Sequence, residues 1–89
     1  LFSSHLQQGE KKKFKKLGKR VKDLRIEKSK SLNDFVLSRG FLTTATWSRV
    51  ENGLFDLKFS TLLKIAKMLD VDVAELLNGC DFDYNFDED

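Results

Sequence analysis

The chain contains 89 residues, of which 40% are hydrophobic and 34% are charged, and its formal net charge is +2. This length fits one domain with a single compact core, and the hydrophobic content is too high for general disorder. No apolar run approaches the ~18 residues of a membrane-spanning helix, so we expect no membrane span. One cysteine and one histidine supply neither an internal disulfide nor a metal site at any recognised spacing, so we expect no metal and no cofactor.

The charges divide the chain into a basic body and an acidic end. Residues 1–67 contain all 16 lysines and arginines and six acids, hence a charge of +10. Residues 68–89 contain eight acids and no base. A positive field of this kind attracts polyanions, chiefly nucleic acid or an anionic membrane.

The first part of the chain predicts two helices. Residues 11–28 form the first, because four apolar residues recur at spacings of three and four and share one helical face. Residues 1–10 before it are interpreted as a flexible N-terminal arm or an expression remnant. Ser31, with Asp34 three residues later in a capping-box-like position, predicts the N-cap of a second helix, which Gly40 ends. The apolar residues of the first helix are Phe14, Leu17, Val21 and Leu24.

A third helix is predicted after an apolar turn at residues 41–42, capped by Thr43 or Thr44 and ended by Asn52-Gly53. Trp47 and Val50, three residues apart, are expected to face the core. The outward residues are small apart from one arginine, whereas a helix that only covers a core more often exposes glutamate and lysine. Small outward residues let a helix backbone approach another surface closely. These outward residues are Thr44, Ala45, Ser48 and Arg49.

Two further helices complete the pattern. Ser60 is expected to cap the fourth, and Asp72 is expected to cap the fifth, which covers residues 73–77. Short loops between five short amphipathic helices indicate an all-α, compact orthogonal bundle over residues 11–78. Residues 79–89 then form an acidic aromatic tail. The broad apolar stripe of the fourth helix consists of Leu62, Leu63, Ile65, Ala66 and Leu69.

Four stretches of the chain follow one another in the order of a known family pattern. They are LGKRVKDLR at 17–25, SLNDFV at 31–36, SRVENG at 48–53, and TLLKIAKML at 61–69 followed by Val71 and VAELL at 73–77. Together they resemble the Cro/repressor-type helix-turn-helix regulators of phages and bacteria, also described as lambda-repressor-like or XRE-type. The resemblance covers residues 14–77. It implies a five-helix lambda-repressor-like domain that acts as a sequence-specific transcriptional repressor.

The resemblance also implies how the protein binds double-stranded DNA. The third helix enters the major groove and turns its outward residues toward base edges. Arg49 is the main reader, since its guanidinium can pair with both O6 and N7 of guanine. Arg25 and Glu51 match a pair that forms a buried salt bridge in the family. Base contacts are implied for Thr44, Ala45, Ser48 and Arg49, and phosphate contacts for Asn33, Thr43, Thr46, Asn52 and Lys58.

The chain departs from the family pattern at two places. Between Gly40 and Gly53 it is one residue longer, which bears on the tilt of the third helix. The loop at residues 54–58 is apolar and acidic where the family places basic residues and a proline, which favours a dimer or partner contact. Family members bind palindromic operators as homodimers in the cytoplasm, at the nucleoid. Phe59, residues 54–57 and the segment after Leu76 are the candidates for self-contact.

Several alternatives stay open at this point. A protein-interaction module of the antitoxin or adaptor type would use the same fold, with the acidic tail holding a protein partner. The tail would otherwise mimic nucleic acid and cover the basic face, or be disordered. The lysines at 11–16 contact a flanking phosphate, lie across a groove as an arm, or form a solvated face. A membrane role is disfavoured because the first helix needs its apolar face for the core. No catalytic triad, phosphate loop or metal cluster predicts an enzyme.

Overall fold

The computed structural model describes residues 8–29, 31–54 and 57–82, with side chains described from Lys11 onward. Within those residues it contains five helices and no strand, so the expected all-α five-helix fold is confirmed. α1 is the central element, since it contacts each of the other four helices. The helices are α1 (Gln8–Lys28), α2 (Leu32–Arg39), α3 (Thr44–Glu51), α4 (Phe59–Leu69) and α5 (Val73–Asn78).

The first helix begins earlier than the apolar periodicity predicts. Its first residue is Gln8 rather than Lys11, so residues 8–10 belong to α1 and not to the expected arm. These three residues are polar or glycine and therefore carry no periodic signal. The rest of the expected arm, residues 1–7, lies outside the described residues. Of the predicted apolar face, Leu17, Val21 and Leu24 are buried and Phe14 is half-buried.

Side-chain caps fix the starts of α2 and α3. The Ser31 hydroxyl accepts a hydrogen bond from the backbone N–H of Asp34 at 3.2 Å. Of the two threonines proposed for α3, Thr43 is the cap, and its hydroxyl accepts from the N–H of Thr46 at 3.1 Å. The first N–H groups of a helix have no partner within the helix, so each cap satisfies one of them.

The predicted cap of α4 is wrong. The helix starts at Phe59, and Lys58 takes the N-cap position with extended backbone but no capping side chain. Ser60 therefore lies inside the first turn, where its hydroxyl cannot serve as the cap. Asp72 does occupy the N-cap of α5, again without a side-chain hydrogen bond, and α5 extends to Asn78. The sequence therefore located the start of α5 correctly and placed the cap of α4 two residues too late.

The core contains buried side chains from all five helices. Trp47 of α3 and Ile65 of α4 are completely buried, and the Trp47 ring lies 4.9 Å from the ring of Phe35, tilted by 55°. The predicted stripe of α4 is right except that Leu63 is 45% exposed, and it omitted Met68, which is 1% exposed. The buried core residues are Leu17, Val21, Leu24, Phe35, Val36, Trp47, Val50, Ile65, Ala66, Met68, Leu69, Leu76 and Cys80.

The described part of the tail closes onto this core. Gly79 caps α5, Cys80 is buried, and Phe82 packs against the core cluster. Residues 83–89 of the expected tail lie outside the described residues. Among the helices that the structure describes, none is long and apolar enough to cross a membrane.

Candidate nucleic-acid interface

The C-terminal end of α3 lies directly against the backbone of α1. A Cβ atom added to Gly18 would lie 2.5 Å from the carbonyl oxygens of Val50 and Glu51. A Cβ atom added to Gly53, whose φ is +65°, would lie 2.7 Å from the backbone nitrogen of Lys15. Only glycine allows such an approach without displacing one of the two backbones. These two contacts fix the distance between the helices.

A buried ion pair fixes the orientation of α3 on α1. Arg25 Nε donates to Glu51 Oε2 at 2.7 Å and its Nη2 donates to Oε1 at 2.9 Å, which is a bidentate arrangement. Each of the two side chains is 7% exposed. The hydrogen bond to Glu51 raises the pKa of Arg25, so the guanidinium stays charged at neutral pH. The pair that the resemblance implied is thus formed.

Trp47 is the third member of this arrangement, which sequence reasoning assigned to the core alone. Its Nε1–H donates to Glu51 Oε2 at 2.7 Å, while its ring fills the space beside Phe35. The available signal was the spacing of four residues between Trp47 and Glu51, which places both on one face of a helix. The polar end of a buried tryptophan needs such an acceptor.

The connection between α2 and α3 is a turn with two residues in the left-handed region. Gly40 has a φ of 78° and Phe41 a φ of 66°, and the N–H of Leu42 donates to the carbonyl of Gly40 at 2.8 Å. A bulky residue in this region is uncommon. The resemblance places the extra residue of this chain between Gly40 and Gly53, a stretch that begins with this turn. The Phe41 side chain is 58% exposed.

The outward face of α3 carries the four predicted base-contacting residues together. Ala45 and Arg49 are exposed, and Thr44 and Ser48 are half-buried. They occupy positions i, i+1, i+4 and i+5, which form one continuous face of a helix. Among the described residues, the Arg49 side chain forms no hydrogen bond or ion pair, so its guanidinium is available to a ligand.

Two of the five predicted phosphate-contacting residues bond to each other. The Thr43 hydroxyl donates to the Thr46 hydroxyl at 3.0 Å. The Asn52 amide donates to the carbonyl of Ser48 at 2.8 Å, so this asparagine also closes the end of α3. Asn33 and Lys58 are exposed.

Three of these residues lie where helices begin. Asn33 lies in the first turn of α2, Thr43 at the N-cap of α3 and Lys58 at the N-cap of α4. Helix N-termini present free N–H groups and a partial positive charge, which favour an anion. The structure brings the base-contacting candidates together on α3 and distributes the phosphate candidates over the ends of three helices.

Elsewhere in the described chain, we find neither a metal-binding group nor a reactive thiol. Within it, no group of three His, Cys, Asp or Glu residues is arranged to hold a metal ion. Burial raises the pKa of the Cys80 thiol, and the nearby positive charges of Arg20 and Lys16 oppose that shift. The thiol is therefore protonated at neutral pH and unreactive as a nucleophile.

Two short helices joined by a turn, the second held by a buried ion pair with its polar face outward, define a helix-turn-helix DNA-binding domain. The sequence-family model of the Cro/C1-type HTH DNA-binding domain matches residues 16–79, which is more than half of the chain. The protein therefore belongs to the Cro/C1-type HTH family. No curated protein and no solved structure matched the chain.

Proposed function

We propose that this protein is a sequence-specific transcriptional repressor that reads the major groove of double-stranded DNA with α3. The observation that carries the proposal is the outward face of α3, where Arg49 stands free among three small residues. On the inner side of α3, the buried Arg25–Glu51 pair fixes the helix to α1. A face of small residues on a fixed helix lets the backbone enter the groove and keeps the long side chain aimed at base edges.

The side chains on this face match the donors and acceptors of the major groove. Arg49 pairs with O6 and N7 of a guanine, which is the most common specific contact of this kind. The hydroxyls of Thr44 and Ser48 donate to or accept from either type of base pair, and the methyl group of Ala45 contacts a thymine methyl. We therefore expect a site with a guanine near its most strongly selected position.

Phosphate contacts would position α3 without reading sequence. Asn33, Thr43 and Lys58 lie at helix N-termini, and Thr46 lies in the first turn of α3. The Asn52 amide nitrogen donates to the Ser48 carbonyl at 2.8 Å and to the Ser48 hydroxyl at 3.5 Å. Both of its N–H groups are therefore directed at Ser48 and would have to reorient to bind a phosphate, so of the five candidates Asn52 has the weakest case.

The exposed apolar residues beyond α3 favour a homodimer. Leu54 is 63% exposed, and Phe59 and Leu63, four residues apart on one face of α4, are 71% and 45% exposed. Large apolar side chains exposed together on one helix face, as Phe59 and Leu63 are, are typical of a surface that another protein covers. Two copies related by a two-fold axis would present two α3 helices to a palindromic operator, and occupancy of that operator represses transcription. The site of action is then the nucleoid, in the cytoplasm.

Selection of bound duplexes from a random pool tests the proposal. We expect a palindromic consensus whose half-sites lie about 10 base pairs apart centre to centre. A pool carried through the same rounds without protein is the control. Enrichment of no sequence beyond this control would contradict the proposal, and a consensus without two-fold symmetry would contradict the homodimer.

A protein-interaction module of the antitoxin or adaptor type is the second candidate function. The exposed Phe59, Leu63 and Leu54 favour it as well, because they fit a protein partner as readily as a second copy. The two functions differ in their dependence on salt. Binding to DNA releases counterions and weakens steeply as salt rises, whereas burial of apolar surface does not.

A further inference from the structure

Beyond α5 the chain turns back along α1 in a defined direction. The guanidinium of Arg20 donates to the carbonyls of Leu76 and Glu75 at 3.2 and 3.0 Å. One turn closer to the start of α1, the Lys16 ammonium donates to the carbonyl of Asp81 at 3.1 Å. The chain from 75 to 81 therefore runs antiparallel to α1, toward its N-terminal end.

This direction is held by burial as well as by hydrogen bonds. Cys80 is 6% exposed, and the Phe82 side chain packs against the core cluster. A cavity of about 290 Å³ lies between α1 and Gly79-Cys80, and Lys16 and Arg20 line it. The last described residues thus lie beside positively charged side chains of α1.

The surface ahead of Phe82 is strongly positive. Lys11, Lys12, Lys15 and Lys16 are all exposed on the first described turns of α1. We name these four the lysine cluster. At ~1.5 Å per residue, the cluster extends over less than ~10 Å along the helix axis. Seven residues of extended chain reach up to ~23 Å, so residues 83–89 are long enough to cover it.

The residues that follow Phe82 carry the complementary charge. Four of residues 83–89 are acidic (Asp83, Asp87, Glu88 and Asp89), and none of the seven is basic. We propose that residues 83–89 lie along the lysine cluster and act as an internal counter-ion that competes with DNA phosphates. The competition rests on the proposed function, whereas the contact between the tail and α1 does not.

Such a contact would reach the DNA-binding surface electrostatically. The backbone of Lys15 lies against Gly53, just beyond the C-terminal end of α3, so the lysine cluster borders the helix that reads DNA. A helix with its side chains is ~10–12 Å wide, close to the ~8 Å screening length at physiological salt. Acids bound on one side of α1 therefore lower the attraction for phosphates on the other.

A spin label in the tail tests the contact without DNA. The label is attached to Asn85→Cys in a Cys80→Ala background, whose amide spectrum is first compared with that of the unsubstituted protein. We expect broadened amide signals at 11–16 at low salt and recovery of these signals at high salt. Asp83→Asn/Asp87→Asn should reduce the broadening, whereas the charge-matched Asp70→Asn/Asp72→Asn should not. Unbroadened signals at 11–16 would overturn the contact.

Binding to a random-sequence duplex tests the competition. In otherwise unsubstituted full-length protein, Asp83→Asn/Asp87→Asn should tighten binding roughly threefold or more at low salt, because two acids no longer compete with phosphates. Asp70→Asn/Asp72→Asn adds the same charge elsewhere and should change the affinity less than about 1.5-fold. Equal changes in the two variants would show an effect of net charge alone and overturn the competition. If no duplex binds, the proposed function fails, and the spin-label result still decides the contact.

Discussion

Glu51 accepts three hydrogen bonds in the interior of the protein. Two come from Arg25 and one from Trp47, all between 2.7 and 2.9 Å. A charge removed from water is tolerated only when its hydrogen-bonding capacity is filled and an opposite charge is adjacent. The three residues therefore act as one unit, and the loss of any partner leaves a buried polar group unsatisfied.

The substitution Glu51→Gln tests the buried pair. The amide keeps an oxygen for Trp47 but removes the carboxylate charge that faces the buried Arg25 guanidinium, so we expect a loss of about 3 kcal/mol in the free energy of unfolding. Asp23→Asn is the matched control, because Asp23 pairs with Lys19 at 3.2 Å with both side chains more than half exposed. It should cost less than about 1 kcal/mol. Similar urea-unfolding midpoints for the two variants would contradict the role of the pair.

Single residues differed in how well the sequence predicted them. Arg25 and Glu51 lie 26 positions apart, and only the family resemblance, not local spacing, linked them. The bond from Trp47 to Glu51 was missed because an inward tryptophan is fully explained by packing. The positive φ of Phe41 carried no signal at all, since phenylalanine does not favour that region.

At the scale of the helices, the position of α3 depends on two glycines as much as on side-chain contacts. Gly18 and Gly53 allow the backbones of α1 and α3 to approach, and the Arg25–Glu51 pair prevents rotation. Starts of helices were predicted correctly where a hydroxyl made the cap, at Ser31 and Thr43. The start of α4 was not predicted correctly, because its N-cap, Lys58, makes no side-chain cap hydrogen bond.

Gly18→Ala tests the close approach of the two helices. Alanine favours a helix interior by up to about 1 kcal/mol, but overpacking against the immovable carbonyls of α3 costs about 1–3 kcal/mol. We therefore expect a net loss of about 1–2 kcal/mol in the free energy of unfolding. Gly79→Ala is the control, because its Cβ would meet the Arg20 side chain at 3.0 Å rather than a backbone. A stabilised Gly18→Ala variant would show that the helices are not in close contact.

At the scale of the whole molecule, the two ends of the chain carry opposite charge. The basic residues lie in the first 67 positions, on the elements that surround α3, and the acids dominate after residue 67. This asymmetry was evident in the sequence and predicted a polyanionic partner. The return of the C-terminal segment along α1 was not evident in the sequence, because it depends on the tertiary contacts of Arg20 and Lys16 with backbone carbonyls.

The central claim is that α3 reads base edges through Arg49. Its most direct test compares Arg49→Ala with Lys64→Ala, which removes the same charge from an exposed position on α4. Each variant is titrated with the selected duplex and with duplexes altered at one base pair at a time. We expect Arg49→Ala to weaken specific binding by roughly 1–3 kcal/mol and to abolish the preference at one base pair, while Lys64→Ala retains it. Unchanged affinity and unchanged preference in Arg49→Ala would contradict the claim.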